Sequence, residues 1–199
     1  ELYKLRRKFM SHADGLIHAD LHTSNILASR DEMKVIDMEF AFMGSFGYDL
    51  GYLVGNIISQ YCAACFKRFP SEQNRKQFKA YLLATIKSLI ETYMKTFTLC
   101  WERSVKERYR GQQGLLQSIL QEVMVDMPGY ASMVNWFRSV SDIPYPDFDV
   151  IENKDAKRNA TVLSLMIDWG IMFGRYKYQS ADDLIETIIG IEEEFRKSL

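Results

Sequence analysis

Six side chains able to bind protons or metal fall within one short stretch: His18, Asp20, His22 and Asn25, then Asp37 and Glu39. Asn25 stands five residues after Asp20, and Asp37 closes a short apolar run seventeen residues after it. This order of parts suits phosphoryl transfer. A loop Asp can orient an acceptor hydroxyl and take its proton. An Asn five positions later and an Asp at the end of a strand can hold the divalent cations that bridge nucleotide phosphates. Such transfer needs positioned charge more than covalent help, so an oxygen-rich set is the expected composition. Singly, His-x-Asp or Asp-x-Glu occurs by chance. The ordered set with both spacings is specific.

The flanking residues form elements that can position this set. Residues 25–28 and 33–36 are β-capable, and Ser29-Arg-Asp-Glu32 between them is a polar turn. A hairpin over 25–36 places Asn25 beside Asp37. A helix over 2–11 leads into the loop. Asp49 is predicted as N-cap of a helix over 50–61, with a second option that its carboxylate accepts backbone N–H groups of the loop. Gly51 and Gly55, four apart, predict close packing of that helix against a neighbour. Residues 71–110 lack both Gly and Pro and carry apolar residues at helical spacing, predicting one long helix or two joined by a bend. A helix over 115–125 is expected to stop at Pro128-Gly129, with a shorter one over 130–140. Residues 141–149, with Pro144 and Pro146, read as irregular. Asn153 or Asp155 caps a helix running to 175, and Ser180 caps the last one. The fold class is α+β and predominantly helical, with a small β-hairpin carrying the metal site. Residues 1–199 read as one domain without repeat or linker.

The composition narrows the classes of function. A chain that is 47% hydrophobic and 26% charged has the make-up of a globular protein. A formal net charge of −1 gives no footprint for nucleic acid or for an anionic membrane. The run Lys4-Leu-Arg-Arg-Lys8 reads as the solvated face of a helix. There is no apolar run of membrane-spanning length and no signal-peptide pattern. Cys62, Cys65 and Cys100 are too few and too odd in number for a disulfide framework, and Cys62-Ala-Ala-Cys65 lies in an apolar helical stretch. Buried free thiols and a reducing cytoplasm are the expectation. His18 and His22 are four apart, as zinc ligands can be, but the residues between them lack the Glu of the metalloprotease motif. His18 is better placed to hold the loop by hydrogen bonds, and His22 to do the same or line the site.

Neither Gly44-Ser-Phe-Gly47 nor Gly111-Gln-Gln-Gly114 forms a phosphate-cradling loop. Kinases of this template carry such a loop and a strand-borne Lys upstream of the catalytic loop. The chain, which begins at Glu1, is therefore expected to be the C-terminal lobe of a longer kinase, partnered by its own N-terminal lobe.

Three stretches carry a closer likeness. Leu16-Ile-His-Ala-Asp-Leu-His-Thr-Ser-Asn-Ile26 resembles the catalytic loop of the methylthioribose kinases, within the aminoglycoside phosphotransferase and choline kinase group, with Ala19 where Gly is usual. Val35-Ile-Asp-Met-Glu-Phe-Ala-Phe-Met-Gly44, continuing into Gly47-Tyr-Asp-Leu-Gly51, resembles their Asp-x-Glu-Phe metal segment. Gly129-Tyr-Ala-Ser-Met-Val-Asn-Trp-Phe-Arg138 resembles a helix whose paired arginines contact the sugar; Arg138 matches the second, and Phe137 stands at the first. The resemblance implies transfer of the ATP γ-phosphate to the 1-hydroxyl of 5-methylthioribose in methionine salvage. It makes Asp20 the catalytic base, Asp37 and Glu39 metal and nucleotide ligands with Asn25 beside them, and Mg²⁺ the cofactor. Arg138 and His22 are then substrate contacts, His18 and Asp49 structural supports, and a homodimer the expected assembly.

Phe137 can make none of the bidentate hydrogen bonds of an Arg, so another acceptor of the group remains open: an aminoglycoside, choline or homoserine. Tyr145, Asp147 and Asp149 could serve a cationic one. A catalytically silent kinase-like binding domain is the rival from outside enzymes, and the retained charge set argues against it.

Overall fold

The structure is a computed structural model describing residues 1–141 and 145–199, with only the backbone described at Gln113. The chain runs α1 (Leu2–Ser11), β1 (Gly15–Ile17), β2 (Ile26–Ala28), β3 (Met33–Val35), β4 (Phe42–Gly44), α2 (Gly47–Phe66), α3 (Glu72–Ser104), α4 (Gln113–Val140), α5 (Pro146–Asp149), α6 (Lys154–Gly174) and α7 (Ala181–Lys197), with short 3-10 turns between some of them. It is a mostly helical α+β unit. Among the described residues no helix is long and apolar enough to cross a membrane.

The expected hairpin is present. β2 and β3 pair antiparallel with Ile26 opposite Val35 and Ala28 opposite Met33, and the amides of Asp31 and Glu32 donate to the Ser29 hydroxyl in the turn. Asn25 belongs to the 3-10 turn Thr23–Asn25 just before the strand. A second ribbon joins β1 to β4, with Ile17 opposite Phe42 and Gly15 opposite Gly44. Three-residue strands rich in glycine carry too little periodicity to announce themselves.

α2 is the central helix, packed against α3, α4 and α6. Gly51 and Gly55 allow this, as expected: an added Cβ would lie 2.7 Å from the Met127 carbonyl oxygen at Gly51 and 2.5 Å from that of Ala131 at Gly55. The same contact corrects the reading of α4. That helix continues through Pro128-Gly129 instead of stopping. Proline removes one ladder hydrogen bond, but Met127, Tyr130 and Ala131 around it are each buried at 1% exposure or less. Burial of that face outweighs the lost bond. Gly129 also gives room to Leu5 of α1, whose side chain would lie 2.6 Å from a Cβ there.

The caps follow local rules. Ser71 accepts the Asn74 amide at 3.1 Å, Asn153 accepts that of Ala156 at 2.9 Å, and Ser180 forms a capping box with Asp183. The long apolar stretch becomes a single helix, α3, ending at Ser104. Within 141–149, Pro146 opens the short helix α5, so that stretch is not irregular throughout; residues 142–144, including Pro144, lie outside the described residues.

Cys62 and Cys65 are buried free thiols, as expected, while Cys100 is exposed. Burial, then the Glu192 charge, pushes the Cys65 thiol up to about 12. Glu192 of α7 is itself buried and ties α7 to α2 and α3: Tyr61 and Lys79 donate to it, as does Arg196 at 2.6 Å. Burial alone would raise its carboxyl, but these donors override it and hold the group at about 2, against an ordinary 4.5. A depressed carboxyl stabilises the fold above its unfolded pKa and loses that contribution as pH falls through the folded one. Wild-type protein is therefore expected to exceed Glu192→Gln in stability at neutral pH, with the gap closing between about 4.5 and 2. Urea unfolding of both across that range reads it; a gap that does not change with pH would contradict it.

Candidate active site

β1 delivers the chain into the loop at His18, which is 5% exposed. Its Nε2 lies 2.8 Å from the Ile36 carbonyl oxygen, where only a ring N–H can donate. Nδ1 is then free to accept the Asp20 amide, 3.3 Å away. One neutral tautomer thus ties the loop to the end of β3.

Asp49 is not the N-cap of α2, because the helix starts earlier, at Gly47. From its first turn the carboxylate accepts the His18 amide at 2.6 Å and the Ala19 amide at 2.9 Å. A carboxylate near a helix N-terminus is favoured by the helix dipole as well. Two hydrogen bonds hold the backbone where Ala19 takes φ +68°, a left-handed conformation that glycine adopts more easily.

Asp20 is half-buried, and each of its carboxylate oxygens has a neighbour. The Tyr52 hydroxyl donates to Oδ1 at 2.9 Å, and His22 Nε2 lies 3.5 Å from Oδ2. Asn25 is 6% exposed; its Nδ2 donates to the Asp20 carbonyl at 3.1 Å, which leaves the amide oxygen available as a ligand. The Ile36 amide donates to the Asn25 carbonyl at 3.0 Å, so Asp37 follows directly on a residue bonded to Asn25. Asp37 takes φ +67°, and both it and Glu39 are exposed. The loop, Asn25 and the backbone of Asp37 are thereby brought together across the hairpin, while the exposed Asp37 and Glu39 side chains have no partner bond to the loop among the described residues.

Arg138 sits at the end of α4. Its Nε and Nη2 donate to Asp147 Oδ2 at 2.8 and 2.5 Å, and its guanidinium lies 4.4 Å over the Tyr145 ring. Gln60 of α2 donates to the other Asp147 oxygen. Phe137 is 48% exposed with its ring 6.1 Å from Tyr145. Asp149 is paired to Lys157 at 2.6 Å. Tyr52, Asn56 and Gln60 recur every four residues and form one stripe of α2. Tyr52 meets Asp20, Asn56 accepts the Thr23 amide at 3.5 Å, and Gln60 reaches the Arg138–Asp147 pair. Tyr52 and Asn56 carry no motif of their own in the sequence; their spacing of three and seven from Asp49, which puts them on its face of the helix, is the signal that marks them.

Burial, more than any charge, pushes the Tyr52 hydroxyl well above its ordinary value. Its hydrogen bond to Asp20 and the Asp20 charge add to the effect, with smaller contributions from Tyr48 and Tyr145. Tyr52 therefore remains a hydrogen-bond donor at physiological pH. Among the described residues, no three His, Cys, Asp or Glu side chains converge as a ready-made metal site. The oxygen donors of Asn25, Asp37 and Glu39 are the kind that hard cations share with phosphate oxygens.

Comparison with known proteins finds similarity to phosphotransferases. A family described as "Phosphotransferase enzyme family" matches residues 2–89. The chain is 31% identical over 192 residues to a methylthioribose kinase of Geobacillus thermodenitrificans, covering 96% of this chain and 46% of that protein. A methylthioribose kinase of Exiguobacterium sibiricum is 34% identical over 131 residues, covering 66% and 31%. One from Bacillus cereus is 30% identical over 175 residues, covering 88% and 42%. The chain thus spans less than half the length of these relatives.

Proposed function

We propose that the chain, whose residues 2–89 match a phosphotransferase enzyme family, is the catalytic lobe of an ATP- and Mg²⁺-dependent kinase acting on a small-molecule alcohol. The acceptor is methylthioribose, a reading supported by the names of its relatives, with transfer to its 1-hydroxyl in methionine salvage as the sequence resemblance implies. The observation that carries the proposal is Asp20, held between Tyr52 and His22 with Asn25 bonded to its carbonyl.

In this reading Asp20 accepts the proton of the acceptor hydroxyl and aims its oxygen, the work of a general base. Asn25, Asp37 and Glu39 hold the metal. When bound, Mg²⁺ offsets the charge that builds between the β- and γ-phosphates. Asp49 and His18 keep the loop backbone in place, His22 contacts the sugar, and Arg138 contacts it from within its pair with Asp147. The carboxylates that a cationic acceptor would need, Asp147 and Asp149, are already paired to Arg138 and Lys157. That pairing favours a neutral sugar over choline or an aminoglycoside.

The exposed apolar side chains of the ribbons and of the segment joining β3 to β4, among them Leu27, Met33, Met38 and Phe40 at 52–70% exposure, support an N-terminal lobe that covers them and completes the nucleotide cleft. A homodimer of the full-length protein is part of the same proposal and is read from its molar mass by light scattering. The site itself is tested by calorimetry of Mg²⁺-ATP binding to the full-length protein. Asp37→Ala is expected to weaken binding by about a hundredfold or more, the scale on which metal-site residues act, while Asp20→Asn binds nearly as wild type. Undiminished binding by Asp37→Ala would remove Asp37 from the metal site.

A further inference from the structure

We propose that Tyr52 is a positioning residue for phosphoryl transfer: its hydroxyl pins one oxygen of the Asp20 carboxylate and so presents the other to the acceptor hydroxyl. This inference rests on the reading of Asp20 as base and adds to it a residue of α2 that is neither a metal ligand nor a substrate contact.

The two oxygens of Asp20 are held unequally. Tyr52 donates to Oδ1 at 2.9 Å, within the ordinary range for an O–H···O hydrogen bond, whereas His22 Nε2 stands 3.5 Å from Oδ2, too far for a strong one. Oδ2 is the oxygen left to take a proton. The terminal torsion of an Asp side chain is soft, with broad wells, so without a partner the carboxylate would sample orientations in which neither oxygen faces the acceptor. Tyr52 can act as that partner because its own position is fixed. Its ring lies 6.0 Å from that of Tyr48, which packs in turn on Phe9 at 4.7 Å and on Tyr130 at 5.1 Å. Its carbonyl accepts the Asn56 side-chain Nδ2–H at 3.1 Å, and the Asn56 side-chain oxygen in turn accepts the Thr23 backbone N–H.

Asp49 stands one turn earlier on the same helix and holds the amides of His18 and Ala19. A single segment of α2 thus sets the backbone on one side of Asp20 and the carboxylate itself. A base held at both points loses little orientational freedom when substrate arrives, which is how positioning contributes to rate. Tyr48 is the natural contrast: it is four residues away on the same helix, and its contacts are aromatic rings rather than the Asp20 carboxylate.

The test uses the full-length protein with Mg²⁺-ATP and whichever acceptor supports wild-type turnover. Tyr52→Phe keeps the ring and removes the donor. It is expected to lower kcat roughly tenfold, the scale of one hydrogen bond to a charged group, with KM for Mg²⁺-ATP and the thermal midpoint close to wild type. Tyr48→Phe is expected to leave kcat unchanged within about twofold. In an Asp20→Asn background, adding Tyr52→Phe should cost almost nothing further, because the carboxylate it positions is gone. Wild-type kcat in Tyr52→Phe would overturn the proposal while leaving Asp20 as base. Equal losses in both backgrounds with a lowered thermal midpoint would make Tyr52 structural and also overturn it. A wild-type protein silent on every acceptor would overturn the kinase reading and this inference together.

Discussion

Asp20→Asn in the full-length protein is expected to reduce turnover by at least about a hundredfold, the usual contribution of a general base, and to leave Mg²⁺-ATP binding nearly intact. The substitution keeps the size of the side chain. An amide oxygen can still accept the Tyr52 hydroxyl, and the Asn25 side chain still finds the residue-20 carbonyl, since those bonds involve groups that Asn retains. What disappears is the oxygen able to take a proton. The loss should therefore fall on kcat, with little change in the KM for nucleotide, the pattern of an interaction made in the transition state. Steady-state kinetics of the two proteins side by side measure this. Full turnover in the mutant would exclude Asp20 from the mechanism.

Gly55→Val is expected to be the most damaging single change to the fold. A Cβ at Gly55 would lie 2.5 Å from the carbonyl oxygen of Ala131 and 3.2 Å from its carbonyl carbon and Cα. These are backbone atoms of α4, and no rotamer change can move them aside. Relief requires that α2 and α4 separate along the most heavily packed seam of the protein, at a cost of about 3 kcal/mol or more. The effect reaches the site, because α2 also carries Asp49 and Tyr52. Gly190 of α7 is the internal control: it is exposed, and nothing lies within 4 Å of a Cβ there. Gly190→Ala should be neutral or stabilising by up to about 1 kcal/mol, through helix propensity alone. Urea unfolding of the pair decides the matter; a Gly55→Val protein as stable as wild type would contradict this account of the α2–α4 contact.

The parts of the site that could be read from sequence are those whose function and position lie on contiguous residues. His18, Asp20 and Asn25 share one loop, and the turn at Ser29–Glu32 dictates that residue 36 returns beside residue 25. The hairpin therefore follows from turn chemistry and strand propensity. What was not legible depends on contacts between distant elements. Asp49 fits by residue type either an N-cap or an acceptor of loop amides, and only the earlier helix start at Gly47 and the approach of the loop decide for the second, a clamp on two amides. Tyr52 is one apolar-seeming position in a helix until Asp20 is seen against its hydroxyl. Pro128 is a stop signal by every local rule, yet α4 runs through it because the burial of Met127, Tyr130 and Ala131 on either side outweighs one missing hydrogen bond. Arg138 is marked in the sequence by its place in a resembling segment, and the structure adds a partner, Asp147, that no spacing in the sequence reveals.

Release of ADP by the full-length protein, followed against 5-methylthioribose, ribose, choline, homoserine and an aminoglycoside with Asp20→Asn as the blank, tests the central claim most directly. The account predicts release with methylthioribose that depends on Mg²⁺ and vanishes in the blank. Release that persists undiminished in Asp20→Asn, or silence on all five acceptors by a protein that still binds Mg²⁺-ATP, would contradict it.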